Sequence, residues 1–378
     1  MATLGVVNLF ADMTYDGGGS INGPFLGTPG ASATAIAIIA GAGEFLGYSL
    51  RSVAGYIADK TGRHWLITFI GYAINLLAVP AMALAGTWQL AAALVLAERI
   101  GRAIRKPTVE SMLSYTTGRL GKGWVYAVNT ALDETGATIG PLLVAAVLLL
   151  KGSYQTAYAL LLLSSLLALA SLAVARIGFP LPSELEQGRT ATQTRFARSY
   201  WLYMAAATCF AAGLMSYELV AYYLTSTGLV AKAWSPVFLA FATGCGVIAS
   251  LVLGRLYDRL GTPVVVVAVA LSSLFAPLAF AGSFATALIA MPLWGVGYAV
   301  QDTLLKAIIA GVLPDGKRNL AFGLFYTGYG VGWLLGSTVT GLLYEYSRLA
   351  LVLFVVAAQL ISVPIFVVAA GSARRQRG

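Results

Sequence analysis

Asp12 and Asp16 stand four residues apart in a stretch that is otherwise apolar, small or neutral, VVNLFADMTYDGGGSINGPFL. On a helix, residues i and i+4 share a face. The two carboxylates are therefore neighbours, and like charges that close resist being ionised together. That is the behaviour required of a site that takes up and releases protons. Gly17, Gly18 and Gly19 follow at once and weaken the helix beside the acids, so that it can bend or unwind there. Glu44 lies at similar depth in the next apolar run, with Arg51 beyond it. The fourth run carries Glu98 and Arg99 near its middle, then Arg102, Arg105, Lys106 and Glu110; the fifth carries Asp133 and Glu134. Adjacent helical residues point about 100° apart, so at most one of the last two faces a given cavity squarely. The later half of the chain is poorer in such groups, with Glu218, Asp302 and Lys306.

An ionisable group inside an apolar span costs about 3 kcal/mol or more and normally faces the interior, where it marks a pathway or a relay. Arg99 is too deep to reach an interface, so an ion pair with Asp16 or Glu134 is expected, either functional or purely structural. Arg105, Lys106 and Glu110 are expected at the cytoplasmic end of their span, snorkelling outward. Tyr15, Tyr217, Tyr222, Trp294, Tyr298, Tyr326 and Tyr329 are candidates to line a cavity, although tyrosines at helical spacing also serve packing and interfaces. The glycine-rich run from Gly323 to Gly336 reads as a close-packing or bending segment. A metal site is not expected: there is one histidine, and Cys209 and Cys245 have no ligand-like spacing. There is no cofactor motif and no G-x-x-x-x-G-K-[ST] phosphate loop. An enzyme is not expected.

The elements that must hold these groups follow from composition. Of the 378 residues, 58% are hydrophobic and 10% charged, and the mean hydropathy is +0.80. A soluble domain carries about 25% charged residues, so this chain lacks the polar surface for water. Apolar runs at about 3–27, 33–57, 65–85, 88–113, 124–150, 153–176, 200–226, 233–257, 262–282, 284–312, 320–345 and 348–371 predict twelve membrane-spanning helices. The net charge of +9 does not mark a nucleic-acid binder, because the basic residues sit mainly in alternate breaks between spans. Lys60, Arg63, Arg119, Lys122, Arg189, Arg195, Arg198, Arg255, Arg259, Lys317, Arg318 and the tail arginines occupy one set; Lys151, Lys232 and Arg348 are all that the other holds. By the positive-inside rule both termini and the long central break are cytoplasmic. The first span has no basic leader before it, and Asp12 and Asp16 interrupt it, so a cleaved signal peptide is not expected. The hydrophilic stretch 177–199 divides the chain into an N-terminal bundle, 1–176, and a C-terminal bundle, 200–378.

The halves share a motif. After the second span the chain reads G-Y-I-A-D-K-T-G-R, Gly55 to Arg63; after the eighth it reads G-R-L-Y-D-R-L-G, Gly254 to Gly261. Glycine, an acid four residues on, a basic residue and a second glycine recur at matched positions, which points to internal duplication.

The first copy resembles the signature loop between the second and third helices of the major facilitator superfamily, and the weaker copy is similar to that family's second loop. G-A-T-I-G-P, Gly136 to Pro141, resembles the Gly-Pro motif in the fifth helix of antiporter members. E-R-I-G-R-A-I-R-K-P, Glu98 to Pro107, is similar to the arginine motif of the fourth, with tighter spacing after Arg99. The resemblance implies two six-helix bundles related by a pseudo-two-fold axis, a solute site near the midplane, and alternating access by rocking. It assigns gating to Gly55, Asp59, Gly62 and Arg63, with Asp258 and Arg259 in the second copy, and the antiport motif to Gly136, Gly140 and Pro141. The function expected is proton-coupled export of a small cationic or amphiphilic solute by a monomer in the plasma (inner) membrane. The coupling and cavity residues would be Asp12, Asp16, Glu44, Arg99, Asp133, Glu134 and Glu218. An alternative is transport of an organic anion or metal chelate bound by Arg99 and Arg102; a channel or a non-transporting sensor is remoter.

Overall fold

In hydrocarbon an open chain segment can satisfy its backbone hydrogen bonds only as a helix, and the apolar runs are helical throughout. The computed structural model describes the backbone of residues 2–120, 122–150, 152–178, 196–310 and 318–375. It describes their side chains except at 2, 59, 110–131, 310, 318–322 and 374. The first six spans are α1 (Ala2–Gly27), α2 (Ala33–Thr61), α3 (His64–Ala81), α4 (Trp88–Leu120), α5 (Lys122–Leu149) and α6 (Tyr154–Gly178). The seventh is α7 (Arg198–Gly213) with α8 (Tyr217–Ser226), and the eighth is α9 (Trp234–Leu260). The ninth is α10 (Thr262–Ser273) with α11 (Phe275–Ala279). The tenth is α12 (Phe284–Ala299), a π turn at Val300–Leu304, and α13 (Leu305–Ala310). The last two are α14 (Arg318–Tyr346) and α15 (Arg348–Arg375). Twelve helical spans result, with no strand among the described residues.

Among the described residues nine of these spans are long and apolar enough to cross a bilayer. The first, fourth and eleventh are not among them; the fourth carries the densest ionisable residues, and the first carries Asp12 and Asp16. The seventh span is broken where an unbroken helix was expected. The turn after Gly213 leaves the Met215 carbonyl without a helical partner, and the Trp294 indole N–H takes it at 3.0 Å.

The repeated loops close in the same way. Gly62 has φ +65° and Gly261 φ +69°, and each donates its N–H to the carbonyl four residues back, Ala58 at 2.9 Å and Tyr257 at 2.8 Å. A left-handed residue after the last turn is a glycine C-cap, which a side chain would strain. The motif glycine thus ends a helix in both halves.

Two compact units are present. Unit 1 is Met1–Ala31, Leu46–Gln187 and Ala221–Ala240; unit 2 is Ser32–Phe45, Gly188–Val220 and Phe241–Gly378. They follow the two sequence halves except that the first half of α2 groups with unit 2 and residues 221–240 group with unit 1. In unit 2 the start of α2 is capped from α14: the Thr34 N–H donates to Glu345 Oε1 at 3.1 Å.

Each unit contains the same backbone notch. In unit 1, β-carbons at Gly136 and Gly140 of α5 would overlap the carbonyl oxygens of Leu9 and Met13 on α1. In unit 2, β-carbons at Gly332 and Gly336 of α14 would overlap those of Thr208 and Ala212 on α7. In both, two glycines four residues apart bring a helix backbone against its neighbour. The fifth span relates to the first as the eleventh relates to the seventh, which is what duplication requires.

Candidate functional site

The notch in unit 1 fixes α1, and with it a polar face. Asn8, Asp12 and Asp16 recur at four-residue intervals along that face, with Tyr15 beside them. α4 answers with Glu98, Arg99, Arg102, Arg105 and Lys106, α3 with Tyr72 and Asn75, and α5 with Asp133 and Glu134. Arg105 is 5% exposed. Its Nη2 donates to Asp12 Oδ1 at 3.4 Å, and its guanidinium lies 4.6 Å from the centre of the Tyr72 ring. The Tyr72 hydroxyl donates to Asn8 Oδ1 at 2.7 Å, and Asn8 donates in turn to the Asp133 carboxylate. Tyr15 forms a platform for two guanidiniums, Arg102 at 3.8 Å and Arg99 at 4.9 Å from its centre. Asp16 is half-buried and lies in the field of Asp12, Arg102, Glu134 and Arg105; Asp133 lies in that of Asp12, Lys106 and Arg105. Arg99 faces its own neighbour, Glu98, at 3.5 Å.

The chemistry open to this cluster is narrow. A guanidinium stays protonated in a protein, so any proton exchanged here moves on or off a carboxylate. The arginines supply fixed positive charge, which holds the acids together or meets an anionic solute.

The geometry corrects one expectation. Arg105 does not snorkel: it is buried against Asp12 and Tyr72. The expected span ended at 113, whereas α4 continues to Leu120, which sets Arg105 further from the helix end. Asn8, Tyr72 and Asn75 were not singled out, because neutral polar side chains carry no charge signal; their four- and three-residue spacing is the only sequence trace of them. Glu110 and Asp59 lie outside the described side chains.

Of the other candidates, Glu44 sits half-buried in the part of α2 that groups with unit 2, and Glu218 is buried at the start of α8. The aromatic candidates of unit 2 gather into one stack. Tyr217 meets Trp294 edge-on at 5.8 Å; Trp294 and Tyr298 lie 4.3 Å apart; Tyr298 reaches Trp333 at 6.4 Å; and Trp333 reaches Tyr329 at 5.9 Å. The Tyr329 hydroxyl donates to Gln301 Oε1, on the π turn, at 3.0 Å. Tyr326 packs edge-on with Phe325, and Tyr222 lies in unit 1 against Gly27. Of the repeated-motif residues, Gly55 within α2 packs toward Pro107 of α4; Arg63, just past α2, and Asp258 and Arg259, at the end of α9, are exposed.

A duplicated set of helical spans, nine of them among the described residues long and apolar enough to cross a bilayer, defines a multi-pass membrane protein. A sequence profile of the Major Facilitator Superfamily matches residues 4–300 and 237–377, and the chain belongs to that family. An uncharacterized protein of Mycobacterium bovis and one of Mycobacterium tuberculosis are each 33% identical over 370 residues, 96% of this chain and 90% of theirs. An uncharacterized MFS-type transporter of Methanocaldococcus jannaschii is 23% identical over 329 residues, 84% of this chain and 81% of its own. Among solved structures, the peptide transporter POT in complex with sulfate is similar with a TM-score of 0.77 at 15% identity, covering 99% of this chain and 94% of that one. The nucleoside transporter NupG is similar with a TM-score of 0.72 at 12% identity, covering 99% and 98%. The protein is therefore a multi-pass membrane transporter of small molecules and not an enzyme.

Proposed function

We propose that this transporter couples protons to the export of a small cationic or amphiphilic solute. It would work as a monomer by alternating access in the plasma (inner) membrane, with both termini cytoplasmic. The observation that carries the reading is the carboxylate set of unit 1, where Asp12, Asp16, Asp133 and Glu134 share one field with Arg102, Arg105 and Lys106. Protonation of such a set changes the net charge of a helix interior by a whole unit, which is the difference a two-state carrier needs between loaded and empty forms. The Gly136–Pro141 segment supports antiport, since its glycines seat α5 on the acid-bearing helix. Asp59, Arg63, Asp258 and Arg259 would act in the cytoplasmic loops as gate residues.

Everted vesicles energised to an acidic interior test the direction. Added ethidium should collapse the proton gradient in a saturable way, and vesicles lacking the protein should hold theirs. Ethidium uptake driven instead by an inward proton gradient, in vesicles with an alkaline interior and with no exchange, would contradict antiport, and non-saturable flux would point to a channel.

The Tyr15 platform favours a second reading. Two guanidiniums held over one ring present paired donors to a planar anion, so the solute would be an organic anion or a metal chelate, with the acids balancing charge. Loss of anion competition in Arg99→Ala, with ethidium-coupled flux intact, would support this version.

A further inference from the structure

Glu98 and Asn75 form a buried pair that the coupling reading above does not use. Glu98 is 2% exposed and Asn75 wholly buried. Asn75 Nδ2 donates to Glu98 Oε1 at 2.7 Å and to the Glu98 backbone carbonyl at 3.2 Å. The other edge of the same amide, Asn75 Oδ1, is buried with no hydrogen-bond partner. A buried acceptor left without a donor is uncommon in a folded protein, and each case asks for a reason. A β-carbon at Gly101 would overlap the Asn75 backbone nitrogen, so α3 and α4 are in close contact here and the backbone of Asn75 has little room to shift. Rotation about its terminal bond needs no such room.

The two edges of the amide fit the two states of a carboxyl group. An ionised Glu98 only accepts hydrogen bonds and requires the N–H edge; a protonated Glu98 carries an O–H and requires an acceptor. A half-turn of the Asn75 amide exchanges one for the other. The unpartnered oxygen is then the acceptor that a proton on Glu98 would call for.

We infer that Glu98 is a second proton-binding site, in which Asn75 serves both protonation states and the Glu98–Arg99 pair is the element released. A proton from water adds to a Glu98 carboxylate oxygen. The Nδ2 contacts to Oε1 and to the Glu98 backbone carbonyl break, and an O–H bond from Glu98 to Oδ1 forms. Arg99 Nε, 3.5 Å from Glu98 Oε2, loses its opposite charge and keeps its place over Tyr15. Among the described side chains, the titratable and charged groups on the elements packed against α4 are Asp12, Tyr15 and Asp16 on α1, His64 and Tyr72 on α3, and Asp133 and Glu134 on α5. On α4 itself, the described side chains add Arg99, Arg102, Arg105 and Lys106. The use of this proton in transport rests on the proton-coupling reading; its binding does not.

Infrared difference spectra of the purified full-length protein in lipid, taken on acidification, read protonated carboxyl groups directly and require no transported solute. The wild type should gain a buried carboxylic C=O band that Glu98→Gln lacks and that Asn75→Leu shifts, because Asn75→Leu removes the amide acceptor. A Glu98→Gln spectrum with the full wild-type band would overturn the proposal. Should Glu98→Gln fail to fold, as read by thermal melting, Asn75→Leu decides: an unshifted band there also overturns it. The parent reading fails separately, if solute flux in liposomes moves no protons while the Glu98 band persists.

Discussion

Asp12 is constrained from two sides, by the buried Arg105 that it pairs with and by the neighbouring acids Asp16 and Asp133. A buried ion pair contributes little net stability, but removing one partner leaves an uncompensated charge and costs about 3 kcal/mol or more. Asp12→Leu should therefore lower the melting temperature of the detergent-solubilised protein clearly. The double variant Asp12→Leu/Arg105→Met should recover most of that loss, since neither charge then remains. Equal melting of the single and double variants would show that the 3.4 Å contact is not a working pair. The arginines over Tyr15 have a different role, as cations held on an aromatic face, worth about 0.5–2 kcal/mol each.

At the scale of elements, the glycines separate into those that hold helices together and those that do not. Gly140→Val in unit 1 and Gly336→Val in unit 2 force a side chain onto a neighbouring backbone carbonyl and should both abolish the folded monodisperse protein. Gly19→Ala, with nothing within 4 Å of its added carbon, should melt near the wild type. Size-exclusion profiles and thermal melts check all three, and a well-folded Gly140→Val would refute the notch. The positions of the twelve spans were legible in the sequence because each is a long apolar run bounded by polar residues. The ninth breaks at Leu274, three residues before Pro277, whereas the breaks inside the seventh and tenth spans were not legible, since no proline sits between Gly213 and Tyr217 or in the π turn at Val300–Leu304. There the backbone is held by tertiary partners such as Trp294 and Tyr329, which no local pattern announces. The acids of α1 stood out because a carboxylate in an apolar run is costly. Asn75, a neutral amide, did not, and its importance emerges only from the carboxylate it meets.

For the molecule as a whole, duplication and divergence are both visible. The capping glycines Gly62 and Gly261 and the paired notches repeat between halves, while the side chains they support do not. Unit 1 carries the carboxylate and arginine cluster, and unit 2 carries a stack of Tyr217, Trp294, Tyr298, Trp333 and Tyr329 with the neutral Gln301. On the proton-coupling proposal, charge exchange would fall to unit 1, while unit 2 contributes a largely buried aromatic stack. Whether the carboxylates of unit 1 carry the coupled proton is read by simultaneous measurement of proton and ethidium flux in proteoliposomes. Wild-type protein should move protons against ethidium at a fixed ratio. Asp16→Asn should lose the proton flux yet keep ethidium exchange between equal concentrations on the two sides. Proton flux that survives Asp16→Asn and Asp133→Asn at the wild-type ratio would contradict the account.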